Sequence, residues 1–452
     1  MSEARRTGAR VVDAEVTAEA AQTTWTKQRR YLGLVILIVA NLVLRFGWLL
    51  YMHPPQVDDF AWYFSHATQM YEGQGYVWYG HPTSYWPIGY PFFLSLLFHL
   101  TGPSVTAGLI TNVLLSTSIV VLVYGLSRLV FRNPTVAFWA SAGYSVLPSQ
   151  IEWNSVLGSE ELFTFLLLLS LWMYLVGSRA RNPGDLHGGF ASRARVQPIW
   201  ITALAGVIMG LAADVRPIVL LFPAASLFYE RYAARETWRS SWLVAVTFAV
   251  ALYAGVAPVT IRNFIALHHF VLVSTNGGVN LWQGTHANGW YYWSWNPKVN
   301  PLLPYVKNDY LENKVAMHAA LEYYRRHPLL TVFNGVEKWF FLYWVDWNVI
   351  SVTFAEKAPH VQEWVIRANM WFDNIAYYLW MAVSLTGIVQ VFRRFSRQSR
   401  TWWLLLAYII YNTAIFFFFP AWDRFRYPMM PLYAVFFGIG AWYIVGRWRR
   451  RQ

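Results

Sequence analysis

Asp58 and Asp59 are the one adjacent pair of aspartates in the chain, and they follow directly on the first segment apolar enough to cross a bilayer. Asp59, Trp62, Tyr63, His66 and Met70 recur at three- and four-residue steps, a spacing that predicts a helix carrying them on one face. Carboxylates at a helix start meet unpaired N–H groups and the positive end of the dipole, which favour the ionised form that a general base needs. An aspartate there also serves as an ordinary cap, so the neighbouring groups decide its use. Polar groups stand at the ends of other apolar stretches: Ser159 with Glu160 and Glu161, Asp214 with Arg216, Arg262 with Asn263, and Asp423 with Arg424 and Arg426. Arg45 lies inside the first apolar stretch, where a cation must snorkel or meet an anion. A carboxylate base and a guanidinium clamp together suit one chemistry, the deprotonation of a hydroxyl while a phosphate departs from a lipid carrier. Each group also has a plainer use. Ser159 and Glu160 read as a cap with an acidic first turn, Arg216 as the partner of Asp214 before Pro217, and Arg262 as an interfacial anchor.

The elements that must position these groups cross a membrane. The 452 residues are 56% hydrophobic, include 26 Trp and contain no cysteine, which excludes disulfide and thiol chemistry and points to a polytopic membrane protein. The net charge of +13 gathers in short basic clusters at the ends of apolar segments, the pattern of loops retained inside, so nucleic acid is not an expected partner. Residues 1–30 read as a disordered cytoplasmic tail, and 31–452 as a single transmembrane domain. Crossings are expected at 31–51, 104–131, 135–151, 159–177, 198–213, 217–230, 241–262, 371–393, 401–420 and 427–447, in an all-α bundle of about 10–12 spans with both termini inside. The first outer loop, 53–103, and the large outer region, 263–370, would then carry juxtamembrane helices. Pro87 to Leu100 and Val332 to Val352 read as interfacial helices, and 178–197 as a cytoplasmic linker. His268, His269 and His286 lack metal-ligand spacing, and no glycine loop with a lysine cradles phosphates, so no metal or other cofactor is expected. The turn at Asn276–Gly278 leaves Asn280 and His286 available to touch a substrate.

From about Leu34 to Ile444 the chain carries, in order, VDDFAWY, YEGQGY, PTSYWPIGYPFFLSLL, LGSEELFTFLLLL, ADVRPIVLLFP, APVTIRNF, STNGGVNLWQGTHANGWY and RFRYPMMPLYAV. In this series it resembles the GT-C superfamily, specifically the bacterial branch akin to glycosyltransferase family 39, with protein O-mannosyltransferases and lipid A aminoarabinose transferases as relatives. The resemblance implies an inverting transferase of the cytoplasmic membrane of a bacterium, taking a sugar from a polyprenyl phosphate to a lipid-linked, glycan or protein hydroxyl on the outer face. It implies Asp58 as base, with Asp59 where the family has glutamate. Tyr85, Trp86 and Tyr90 would border the donor site, with Tyr63 beside them on the Asp59 face. Glu160 would take part in catalysis, and one or more of Arg45, Arg216, Arg262 and Arg426 would hold the carrier phosphate. The loop Trp86-Pro87-Ile88-Gly89-Tyr90-Pro91 differs from the His-Pro-Pro-Leu form of the protein mannosyltransferases. A transporter or flippase of lipid-linked sugars would want a similar cavity, but it should show paired broken helices in corresponding halves, and none is legible.

Overall fold

The computed structural model of the chain describes residues 27–52, 54–181, 199–286, 292–355, 361–395 and 400–449. The expected tail lies outside them up to residue 26, as does the expected linker from residue 182 onward. In chain order the main helices are α1 (Lys27–Tyr51), α2 (Asp59–Tyr71), α3 (Gly89–Thr101), α4 (Val105–Phe131), α5 (Pro134–Ser145), α6 (Glu160–Arg181), α7 (Ile199–Val215), α8 (Trp238–Leu267), α9 (Gly277–Gln283), α10 (Asp309–Arg326), α11 (Pro328–Trp344), α12 (Glu363–Gln390), α13 (Trp402–Ile415), α14 (Asp423–Arg426) and α15 (Met430–Arg449). A two-stranded hairpin, β1 (Val77–Trp78) with β2 (His81–Pro82), pairs Val77 with Pro82 and Trp78 with His81.

Among the described residues, six helical segments are long and apolar enough to cross a membrane: α1, α4, α6, α8, α12 and the run from α14 through α15. Helices α7 and α13 are apolar but shorter. The chain is therefore an all-α, multi-pass membrane protein. Each of the ten expected crossings contains helix, but 401–420 is helical only from Trp402 to Ile415, and two others are broken. The stretch 135–151 stops at Ser145 and resumes as Pro148–Glu152, and 217–230 runs as a turn at Pro217–Val219 followed by Phe222–Phe228. Proline explains both breaks, because a helix tolerates it in the first turn but not in the interior.

Packing follows side-chain size. Helix α7 lies between α6 and α8, and on its α8 side Gly206 and Gly210 abut the Phe248 and Leu252 carbonyls while Gly255 returns the contact. Small residues at this spacing let two backbones approach where lipid offers no hydrophobic drive. By contrast α1 turns Val35, Ile36, Val39, Val43 and Leu50 outward, the expected surface for a lipid-facing helix. Helix α15 is buried along most of its length between α5 and α12.

At the outer end a second, smaller core (Val279, Trp282, Leu302, Ala316, Ala320) joins α9 to α10. Two polar fasteners hold the first outer loop, one from this cap and one from the end of α8. The Asp309 carboxylate accepts from Thr83 Oγ1 at 3.0 Å, Ser84 N at 3.0 Å and Thr275 Oγ1 at 3.2 Å. Arg262 donates to the Thr83 carbonyl at 2.6 Å and the Tyr76 carbonyl at 2.9 Å. Irregular backbone beside a membrane must find such partners, and these bonds supply them.

Candidate active site

Four charged side chains from four distant segments form one alternating series. Arg216, at the C-terminal end of α7, lies 3.1 Å from Glu160 Oε1, the first residue of α6. The same Oε1 accepts from Arg424 Nε of α14 at 2.6 Å, and Arg424 Nη1 reaches Asp59 Oδ2 of α2 at 2.8 Å. Glu160 is fully buried, whereas the Asp59 and Arg216 side chains keep 25% and 17% of their exposure and Arg424 keeps 10%, so the two ends of the series are its most solvated members. A buried carboxylate is tolerable only with such compensation, and two guanidinium groups provide it. The rings of Phe60 and Trp153, centred 5.0 and 5.6 Å from the Arg424 guanidinium carbon, hold that cation in plane.

Local sequence sets each position. Gly158 leaves room for Glu160, since a Cβ there would meet Glu160 Oε2 and the carboxylate would have to shift. Gly89, at the start of α3, likewise admits the backbone of Asp214 and so lets α3 approach the end of α7. The single turn α14 is fixed by Asp423, whose carboxylate accepts from Asn348 N at 2.8 Å, Asn348 Nδ2 at 2.5 Å and Arg424 N at 2.7 Å.

Asp59 and Arg216 both line a cavity of about 480 Å3. Its other polar lining residues are Tyr63, Trp86, Ser159, Asn276, Asn280 and Asn412, and Phe163, Ile218, Leu221, Tyr411, Phe416 and Phe419 add apolar and aromatic surface. Burial, and then the Asp59 carboxylate, pushes the Tyr63 hydroxyl up to about 12, so it stays a hydrogen-bond donor at neutral pH. Charged groups in an aromatic and aliphatic trough match a phosphate attached to a hydrocarbon chain.

Asp58 faces elsewhere. It precedes α2 with φ 50° and makes no capping hydrogen bond through its side chain. It lines a separate, open hollow of about 430 Å3 with Trp62, Ser65, His66, Gln69, Trp78 and Tyr79. His66 Nδ1 donates to the Trp62 carbonyl at 2.8 Å, and burial lowers the imidazole's proton affinity, leaving the ring neutral. The two aspartates thus stand on either side of the first turn of α2. Its buried residues are Phe60, Tyr63, His66 and Ala67, with Asp59 at their edge.

Of the expected site residues, the structure brings Asp59, Arg216, Tyr63, Trp86 and Asn280 to one cavity, with Glu160 directly behind. Tyr90 is fully buried with its ring 5.2 Å from Tyr63, and so supports the wall without lining it. Tyr85 packs under the outer cap, and its amide donates to Thr83 Oγ1 at 3.0 Å. His286 stacks on Tyr292 at 3.7 Å, and 287–291 of its motif lie outside the described residues. Three of the four arginines expected at a phosphate do not line this cavity. Arg45 is buried against Ser116 Oγ at 2.6 Å and the Ser145 carbonyl at 3.3 Å. Arg262 holds the outer loop as described. Arg426, fully buried, donates to the Leu342 and Val345 carbonyls and to Asp346 at 2.6 Å, 4.0 Å above the Tyr377 ring. Arg424, noted in the sequence beside Arg426 but not among the four arginines assigned to the phosphate, links the two carboxylates instead. The usable signal was its position, a cation at an outer helix end against the prevailing charge pattern. Among the described residues no three His, Asp or Glu side chains come together as metal ligands.

No protein-family model matches the chain, and no curated protein sequence does. Solved structures do. The Archaeoglobus fulgidus oligosaccharyltransferase in its apo form matches 94% of this chain and 51% of its own at 13% identity, with a TM-score of 0.57. The same enzyme, AglB, in complex with an inhibitory peptide and a dolichol-phosphate matches 94% of this chain and 51% of its own at 14% identity, with a TM-score of 0.55. The chain thus spans about half the length of these proteins. ArnT from Cupriavidus metallidurans bound to undecaprenyl phosphate matches 89% of this chain and 77% of its own at 14% identity, with a TM-score of 0.43, too low to establish a common fold. At these identities the likeness to the archaeal enzyme is one of fold.

Proposed function

We propose that this chain, a multi-pass membrane protein with the GT-C fold, is an inverting glycosyltransferase that takes a sugar from a polyprenyl monophosphate and gives it to a hydroxyl group. The carrying observation is the buried charge series whose two ends, Arg216 and Asp59, face one amphipathic cavity. The dolichol-phosphate in the archaeal enzyme of the same fold supports a polyprenyl carrier. In this reading Arg216 grips the phosphate and the polyprenyl chain lies along Phe163, Ile218, Leu221 and Tyr411. The acceptor oxygen attacks the anomeric carbon, the bond from that carbon to the phosphate oxygen breaks, and the carrier monophosphate leaves with both electrons. In this reading the acceptor proton passes to Asp58, the residue preceding Asp59 of the cavity wall, while Asp59 and Arg424 fix the first turn of α2.

The site lies at the helix ends opposite Arg128, Arg132, Arg447 and Arg449, which supports an outer-face location in a bacterial cytoplasmic membrane. The test is transfer of radiolabelled sugar from purified polyprenyl-phosphate sugars by the full chain in detergent, with Arg216→Met beside it. Productive donors should raise the melting temperature of the wild type, and Arg216→Met should lose at least 100-fold in transfer, as removal of one charge-stabilising group does, ~10²–10³. A wild type that neither binds nor consumes any such donor would end the proposal.

A further inference from the structure

The hollow that holds Asp58 is lined by more than a base requires. We propose that it is a saccharide subsite, so that the hydroxyl receiving the new sugar belongs to another sugar and not to a serine or threonine of a protein. This rests on the transferase reading above, though saccharide binding can be measured without it.

Four observations carry the inference. First, Trp62, Trp78 and Tyr79 line the hollow, and Trp78 stacks on Tyr79 at 4.8 Å and 28°, backing a ring against which the C–H face of a pyranose can rest. Tyr79 is 58% exposed, a large apolar ring left open beside polar groups. Second, the exposed Ser65 and the buried His66 line the hollow from α2, and His66 Nδ1 donates to the Trp62 carbonyl at 2.8 Å, which fixes the ring. Third, Gln69 Oε1, another lining group, is also buried without a partner. Fourth, the volume of about 430 Å3 falls within the roughly 300–1,000 Å3 of small-molecule sites. Stacking rings with neutral hydrogen-bonding groups suit a sugar, whereas an extended peptide needs a row of free backbone partners. The one nearby strand pair, Val77–Trp78 with His81–Pro82, ends in a proline that cannot donate.

The experiment is saturation-transfer NMR on the purified full chain with methyl α-D-mannopyranoside, methyl β-D-glucopyranoside and a serine/threonine peptide as probes. A polyprenyl-phosphate thermal shift is run on the same samples. The variants are Gln69→Leu, and Tyr79→Gly, which removes the ring at a position with φ 50° that glycine adopts freely and should therefore fold. A glycoside signal with the wild type that falls at least fivefold in both variants, with the lipid shift retained, is the expected result. No glycoside signal, a signal indifferent to both variants, or a peptide signal abolished by them would overturn the subsite. A glycoside signal without any lipid shift would leave the subsite standing and remove the transferase reading instead.

Discussion

Replacing Glu160 with glutamine should weaken the fold and tighten the grip on a lipid phosphate. The two effects have opposite signs, which separates a phosphate clamp from a purely structural ion pair. In the wild type the four charges cancel, so an incoming monophosphate meets a neutral site whose cations are already engaged. Removing the central carboxylate leaves a net charge of one positive. A phosphate oxygen on the far edge of the Arg216 fork, itself 3.1 Å from Glu160, stands about 6 Å from that carboxylate. At an effective dielectric of about 20, a unit charge at that distance is worth about 2.8 kcal/mol, and halving it for solvent at the cavity mouth leaves about 1.4 kcal/mol, a tenfold change in Kd. The folding cost runs the other way. Stranding two largely buried guanidinium groups should remove about 3 kcal/mol, since breaking a buried pair costs about 3–5 kcal/mol and Arg216 is partly solvated. The assay is binding of undecaprenyl phosphate to wild type and Glu160→Gln in detergent, by titrated thermal shift or native mass spectrometry. A variant that stays folded and binds the lipid phosphate no better, or worse, would refute the electrostatic argument.

Further outcomes follow from the same geometry. Asp58→Asn should abolish sugar transfer while leaving carrier-phosphate affinity within about twofold, whereas Asp59→Asn, which leaves a cation unbalanced behind the cavity, should raise that affinity; comparing transfer rates and lipid Kd for the pair decides it. Gly158→Ala should push the Glu160 carboxylate off its two arginines, cutting transfer at least tenfold and lowering the melting temperature; an unaltered enzyme would show that this glycine is dispensable. Burial, with Asp309 nearby, raises the Glu312 carboxyl in the outer cap from 4.5 to about 7, so the native state holds its proton more tightly than the unfolded chain. The associated stability is complete below about pH 4.5, is lost as pH rises through about 7, and amounts to about 3 kcal/mol at most. Glu312→Gln should therefore flatten the fall in melting temperature between pH 5 and 8, and a slope identical to wild type would contradict it.

How much of this was legible beforehand depends on the kind of signal. Hydrophobic length and charge placement gave the bundle, because a crossing helix leaves a long uninterrupted trace. Broken crossings blur that trace, and the interruptions at Val146–Leu147 and Pro217 emerge only where proline meets packing. At the site, an arginine at an outer helix end was a good pointer to burial and a poor one to purpose. Arg45, Arg262 and Arg426 look like Arg216 in the sequence, yet each donates to backbone carbonyls left over where a helix or loop breaks. Which carbonyls are left over is a property of the assembled chain. The split between Asp58 and Asp59 was only partly within reach. Consecutive residues on a helix point about 100° apart, but the face expected to carry Asp59 is itself divided, Tyr63 lining the cavity of Asp59 while Trp62 and His66 line the hollow of Asp58.

The short turn from Asp423 to Arg426 faces two ways. Arg424 reaches toward Asp59 and Glu160, while Asp423 and Arg426 reach toward Asn348 and Asp346. Four residues thus serve as a common hinge pin for two polar interiors, and neither can shift without dragging the other. Substitutions at the deeper interior, such as Asp346→Asn, should consequently register as altered lipid affinity, though that residue touches no part of the lipid trough. Directed changes of substrate are better sought in the aromatic walls, where neighbours are replaceable one at a time, than in this turn.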